Sequence, residues 1–362
     1  MKKVNFSGFN AILVIVLLVI LAFGLYSTTS IKNAFTAAEP KVSKLEVITL
    51  SGECDGCMTA ADMIKIIEGL PNIKIESQKD LTFNEAETKE LITKYAIKKL
   101  PAIILKGAET MEGFEKVEDA LVFRNVPAPY VNAETGNAVG LVTATFIEDT
   151  ACKECADITN LVEQLKQLGI SIVKEQHFAI GTEQGKTLVD NYKIDTVPTL
   201  TLSADVKEYP VIQQVWSQIG TIESDGTYVL RMMTAPYKEL NTSKVRGFVD
   251  LTFLVDKSCK TCYNVSLHKN ILQGNFGMKL ASEKFLDVSS TEGKKLAKNY
   301  GITLIPTVLM SSEAGVYPIM SKVWSEVGTV EEDGTYVFRA IDKLGAGTYK
   351  DLSTGTEKNA TA

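Results

Sequence analysis

All six cysteines of this 362-residue chain fall in three C-x-x-C pairs: Cys54 and Cys57 in ECDGC, Cys152 and Cys155 in ACKEC, Cys259 and Cys262 in SCKTC. Each pair precedes a proline at nearly the same distance, 44 residues from Cys57 to Pro101, 43 from Cys155 to Pro198 and 44 from Cys262 to Pro306. Three pairs with no cysteine left over, each keeping one distance to a proline, define a triple repeat whose purpose is tied to the spacing. The prolines are themselves unusual. In YGITLIPTVLM, Pro306 sits inside a run that reads as a buried strand, where it removes a ladder donor.

The repeat extends beyond these anchors. A helical segment ending in Tyr-x-Ile precedes each proline and puts Tyr95, Tyr192 and Tyr300 in register, and an apolar run (AIIL, TLTL, TVLM) follows. VWSQIGTIESDGTYVLR and VWSEVGTVEEDGTYVFR are near copies, whereas GFEKVEDALVFR is a worn version without the tryptophan. The segment from Ala128 to Cys152 aligns without a gap to that from Ala235 to Cys259, and YKDLSTG begins it a third time from Tyr349. Unit edges are expected near Pro129 and Pro236, giving units at 44–129, 130–236 and 237–352 with a tail at 353–362. Within unit 2 the expected order is a strand at 141–149, an amphipathic helix opened by the cysteine pair at 155–168, a strand at 170–178, a helix at 185–192 and a strand at 199–203. Trp216 and Trp324 lie at helical apolar spacing and are expected as core anchors, with Tyr228 and Tyr336 on strands of an added hairpin.

Lys2 and Lys3 precede a continuous apolar run from Ala11 to Leu25 closed by Tyr26. Residues 9–26 are read as a signal anchor, with residues 1–8 cytoplasmic, 27–43 a linker and the units extracytoplasmic; a signal peptide cleaved near FTAAEP is the alternative. Hydrophobic residues make up 45% and charged ones 23%, a globular balance, and the formal net charge of −6 with no basic block argues against nucleic acid as a partner.

A thiolate is the nucleophile of disulfide exchange, and a cysteine at a helix N-terminus has its anion stabilised by unpaired N–H groups and the positive end of the dipole. A second cysteine three positions on closes a ring with it or resolves a mixed disulfide. In its strand, C-x-x-C, helix and YGITLIPTVLM segments the chain resembles the thioredoxin superfamily, in which a cis-proline faces the cysteine pair and the backbone before it pairs with bound substrate. The resemblance covers Lys44 to about Leu352 and implies an α/β fold of three tandem thioredoxin-like domains, each a central mixed sheet flanked by helices, following the one N-terminal membrane helix read from the apolar run. It implies that Cys54, Cys152 and Cys259 attack, that Cys57, Cys155 and Cys262 resolve, and that Pro101, Pro198 and Pro306 line substrate grooves with Leu100, Val197 and Ile305 offering backbone. Several features depart from thioredoxin: no tryptophan precedes a first cysteine, no C-G-P-C or C-G-H-C occurs, and Ile48, Phe146 and Phe253 stand where a buried acid is expected.

Flanking charge ranks the units. Lys257 and Lys260 beside Cys259, and Lys153 beside Cys152, favour thiolate; Glu53 and Asp55 beside Cys54 oppose it, so Cys259 is expected as the most acidic thiol and Cys54 as the least. The expected activity is thiol-disulfide exchange with protein substrates and a membrane or extracytoplasmic redox partner, without an organic cofactor. Two alternatives stand beside it: a surface binding or scaffold protein whose disulfides are inert, and thiolate capture of copper or zinc, for which His177 and His268 show no ligand spacing.

Overall fold

The computed structural model describes residues 43–70, 73–345 and 347–360. The apolar run of residues 9–26 lies outside the described residues, as do the cytoplasmic and linker segments expected around it; among the described residues no helix is long and apolar enough to cross a membrane.

Among the described residues one five-stranded sheet recurs three times, each copy accompanied by a three-stranded sheet. In unit 2 the strand Val142–Glu148 is central, with Ile172–Ala179 parallel on one side and Thr199–Leu202 antiparallel on the other, followed by Tyr228–Leu230 and the edge strand Gly220–Ile222. Unit 3 repeats the order with Phe248–Val255 central, and unit 1 with Ser43–Ser51. The central strands read as nearly unbroken apolar and β-branched runs because both faces are covered: Phe146, Ile147, Phe253 and Leu254 are all buried. The helices Asn160–Gln167 and Glu183–Tyr192 fall within two to five residues of their expected bounds, the first starting late for a reason given below.

Trp216 and Trp324 are the expected anchors. The helix Pro210–Ile219 opens on its proline, which suits a first turn, and buries Trp216 with its Nε1 donating to the Thr221 carbonyl at 2.9 Å and its ring edge-on to Tyr228. Trp324 repeats the arrangement on Thr329 and Tyr336. The DGTY turns also acquire a role. The hydroxyl of Tyr192 donates to Asp225 at 2.9 Å, that of Tyr300 to Asp333 at 2.7 Å and that of Tyr95 to Asp119 at 2.9 Å, so each register tyrosine pins the end of its helix to the turn. Arg124, Arg231 and Arg339 close the network by donating to the carbonyls of those tyrosines while pairing with Glu115, Glu223 and Glu331.

The unit edges differ from those expected. Tyr130–Asn132 and Ala138–Val139 form a hairpin that pairs with Lys99–Leu100, so they complete unit 1; Tyr237–Glu239 and Val245–Arg246 complete unit 2 on Thr196–Val197 in the same way. Residues 353–362 are no simple tail, since Thr356–Asn359 pairs with Thr348–Asp351, which lies on Leu304–Ile305. The physical reason is an unfilled edge. The segment before each proline offers unpaired backbone, and the nearest chain able to satisfy it is the hairpin that follows. The joints therefore fall at Gly140 and Gly247, both at positive φ and each packed so tightly on Ala128 or Ala235 that a Cβ would clash at under 3 Å. The next unit grips each glycine: Tyr209 and Tyr317 donate to their carbonyls at 2.6 Å, and Asp205 and Glu313 accept from their amides at 3.0 and 2.6 Å.

Candidate active site

Each cysteine pair follows the central strand of its unit and is closed as a disulfide with a Cα–Cα distance of 5.5 Å. The pairs occupy turns and do not open helices, contrary to expectation. Helical structure begins at Ala60, Asn160 and Leu267, three to five residues beyond the second cysteine. Polar residues after the pair set these late starts. Thr59 and Asp62 form a reciprocal capping box; Asp157 accepts from the amide and hydroxyl of Thr159; Asn264 accepts from the amide of Ser266. Because the dipole effect fades within the first turn, the sulfurs receive little of it.

The resemblance placed each pair against a proline, and the structure brings the two segments together. Leu100–Pro101, Val197–Pro198 and Ile305–Pro306 are cis. In unit 2 the Cys155 Sγ lies 3.9 Å from the Val197 carbonyl oxygen. In unit 1 a cavity of about 150 Å³ opens between Cys54, Cys57, Met58, Leu100, Pro101 and Val131. In unit 3 the hydroxyl of Tyr263, the residue after Cys262, donates to the Pro306 carbonyl at 2.7 Å. That hydroxyl also lies 3.1 Å from Nε2 of His268, which burial pushes down to about 4, so the imidazole is neutral at pH 7. The Tyr263–His268 pair was not foreseen; an aromatic directly after the cysteine and a histidine at the second position of the next helix were its only signal.

At Leu100, Val197 and Ile305 the backbone expected to meet a substrate already has a partner within the chain. Their backbone is not open to a peptide, because Leu100 pairs antiparallel with Val131, Val197 with Lys238 and Ile305 with Lys350. The chain's own hairpin occupies the edge on which a substrate strand would lie.

Side chains fasten two of the three hairpins to the cysteine loops. Lys238 Nζ meets Asp149 at 2.5 Å and Lys350 Nζ meets Asp256 at 2.5 Å, and each aspartate stands three residues before its first cysteine. Both carboxylates are largely withdrawn from water, with side chains 10% and 9% exposed. The hydrogen bond from Lys238 holds Asp149 below the usual carboxylate range. Burial pushes Asp256 up, but Lys350 and Ser258 outweigh it and bring the carboxyl down to about 2. The amides of Ala156 and Tyr263 add backbone bonds to Pro236 and Thr348 at 2.7 and 2.8 Å, and in unit 3 Thr261, between the two cysteines, donates to Glu357 of the hairpin at 2.6 Å. Unit 1 has Ser51 and Val131 at the positions of the acid and the lysine. There Val131 packs on Gly52, where a Cβ would meet its side chain at 2.7 Å.

The most heavily fastened pair is also the least accessible. Cys259 is only 9% exposed, whereas Cys54 and Cys152 are half-buried. Burial works against the thiolate that flanking lysines were expected to favour at Cys259. Two of the three lysines behind the charge ranking cap their own turns, Lys153 donating to the Thr150 carbonyl and Lys260 to that of Lys257. Among the described residues no three His, Cys, Asp or Glu side chains gather as a metal site.

No protein family matches the chain, and no curated protein does. Among solved structures it overlaps the alkylhydroperoxide reductase protein AhpF of Enterococcus faecalis at 14% identity and a TM-score of 0.17, over 45% of this chain and 83% of that one. ERdj5 form II matches at 11% identity and a TM-score of 0.15 over 82% of this chain and 42% of the other, and human ERp44 form II at 9% and 0.14 over 85% and 99%.

Proposed function

We propose that this chain of three thioredoxin-like units is a thiol-disulfide oxidoreductase that exchanges disulfides with protein substrates, held at a membrane by residues 9–26 with its units on the extracytoplasmic side. The observation that carries the reading is the placement of every C-x-x-C disulfide against the segment holding a cis X-Pro bond. The apolar run behind Lys2 and Lys3 supports the tether, and six cysteines closed in pairs suit an oxidising compartment.

A client thiolate attacks one sulfur of a pair, the S–S bond breaks, the other cysteine leaves as thiolate, and a mixed disulfide forms. A second client thiolate then attacks the client sulfur of that bond, so the client gains a disulfide while the pair takes two electrons and becomes a dithiol. A second disulfide-bearing protein, the membrane or extracytoplasmic partner, takes those electrons to reset the pair. The first and second cysteines of each pair keep the attacking and resolving roles when the pair runs from its reduced form.

The fastened hairpins of units 2 and 3 favour a second reading for those units, disulfides retained as inert braces of a binding scaffold. Equilibrating the protein in graded glutathione buffers and reading each pair by mass spectrometry separates the two. Pairs that reduce within the glutathione range, and Cys57→Ala or Cys262→Ala variants that trap client proteins as mixed disulfides, support exchange. Pairs that stay oxidised throughout, with no trapped species, overturn it.

A further inference from the structure

The three hairpins make the same backbone pairing with the pre-proline strand but fasten to the cysteine loop by different chemistry. An incoming extended peptide would exchange the ladder bonds of the hairpin for equivalent bonds of its own, so selection between units falls on what the side chains lose. Removing Lys238 or Lys350 strands a carboxylate already withdrawn from water, the costly way to break an ion pair. Displacing the unit 1 hairpin uncovers apolar surface on Gly52 under Val131, which an apolar residue of the peptide covers again. It also gives up the 2.8 Å bond from the Tyr130 hydroxyl to half-buried Glu208, a loss that strands no carboxylate as withdrawn from water as Asp149 or Asp256. Unit 1 also has the cavity beside its disulfide, walled by Met58, Leu100, Pro101 and Val131, which admits a side chain before the hairpin moves. Among the described residues no backbone bond joins Met58 to the hairpin, where Ala156 and Tyr263 each make one.

We propose that Lys238 and Lys350 are positioning residues that close units 2 and 3 to peptides, and that unit 1 is the docking unit for an extended peptide carrying an apolar residue beside its cysteine. This rests on the oxidoreductase reading. The peptide displaces Tyr130–Asn132, pairs with Lys99 and Leu100 and seats its apolar side chain on Gly52, in the place Val131 leaves beside Met58 and Pro101. Exposed Glu53 and Asp55 beside Cys54 favour basic residues in the peptide. The peptide thiolate attacks Cys54 Sγ, the Cys54–Cys57 bond breaks, Cys57 leaves as thiolate and takes a proton from water, and one S–S bond has replaced another.

The test uses the full chain, oxidised, with two probes: a synthetic peptide bearing one cysteine next to leucine and flanked by lysines, and 2-mercaptoethanol. Mass spectrometry gives the initial rate of mixed-disulfide formation at each pair, and the ratio of peptide to small-thiol rate isolates docking from sulfur access. The ratio at Cys54–Cys57 is expected to exceed that at Cys259–Cys262 by about tenfold, the factor one partly buried ion pair imposes. Lys350→Met raises the unit 3 ratio and Lys238→Met the unit 2 ratio, while Ser51→Asp with Val131→Lys lowers that of unit 1. Asp256→Asn, close to isosteric, gives the unit 3 answer should Lys350→Met fold poorly. Equal ratios in the unaltered chain, or a unit 3 ratio unmoved by both variants while the small-thiol rate persists, overturn the inference. No reaction of any pair with either thiol overturns the oxidoreductase reading beneath it, whereas small-thiol reaction at all three without peptide preference sinks the docking assignment alone.

Discussion

Units 1 and 3 share a strand order, a cis X-Pro bond facing the disulfide, and a hairpin lying along the pre-proline strand, yet the surroundings of their disulfides have little in common. Unit 3 surrounds its pair with Lys350 on Asp256, Thr261 on Glu357 and Tyr263 on Pro306, and its first cysteine is buried. Unit 1 has a valine, a glycine and a cavity. The difference teaches that backbone topology fixes where a pair sits, while a handful of side chains on a neighbouring hairpin decide who reaches it. Unit 2 stands between them, with the lysine–aspartate pair but without the threonine or tyrosine contacts.

The largest break in this comparison comes from removing the anchor that unit 1 never had. Trp324→Ala should cost about 3–5 kcal/mol in unit 3, as truncation of a buried aromatic does, and leave unit 1 unchanged. Hydrogen exchange resolved by unit checks this, and a loss spread evenly over the chain would show that the units do not stabilise themselves separately.

Next is pH. His268 has its folded value pushed by burial from 6.5 to about 4, so the unfolded chain binds the extra proton between those values. The contribution is fully present above pH 6.5, falls as pH drops toward 4 and levels off below, amounting to about 3 kcal/mol in unit 3. His268→Leu should flatten that slope, and unit 1, with Met63 at the matching place, should show none of it; denaturant midpoints at pH 4 and pH 7 decide. The clasp behaves otherwise. Asp256 lies well below 3.8 and Lys350 above 10.5, so the attraction stands fully from about pH 4 to pH 10, lost in acid as the carboxyl protonates and in alkali as the ammonium deprotonates.

The smallest effect concerns the residue after the proline. Thr307 is fully buried and donates to the Phe338 carbonyl at 2.7 Å, so Thr307→Val should cost about 1–3 kcal/mol by orphaning that oxygen. Ala102 fills the place in unit 1, where the strand does without the bond. A chemical-denaturation midpoint for unit 3 that does not move would mean water replaces the hydroxyl.

Much of this was legible because it repeats. The cysteine-to-proline distance marked the three sites, the β-branched and aromatic content of the apolar runs gave the central strands, and the tryptophan spacing gave the anchors. The hairpin's pairing was not legible. Tyr130–Asn132 looks like the start of the next unit in the alignment, and only the unpaired edge before Pro101 says otherwise, an edge visible once the strand is placed. The late helix starts were hidden for a smaller reason: Thr59 is an ordinary cap and Asp157 and Asn264 are ordinary turn residues, but each competes with the cysteines for the same few residues. Flanking lysines gave a ranking of thiols by charge, while access depends on Lys350 and Glu357, some ninety residues further along the chain.

The glycine joints carry a practical consequence. A fragment cut at Pro129 and Pro236 would keep a strand that belongs to its predecessor and lose the strand that seals its own edge, exposing fresh backbone to any neighbour in solution. A fragment from Gly140 to Gly247 would hold its whole sheet system, surrendering the grip of the unit beyond and, from the unit before, the packing of Ala128 and the Tyr130 bond to Glu208.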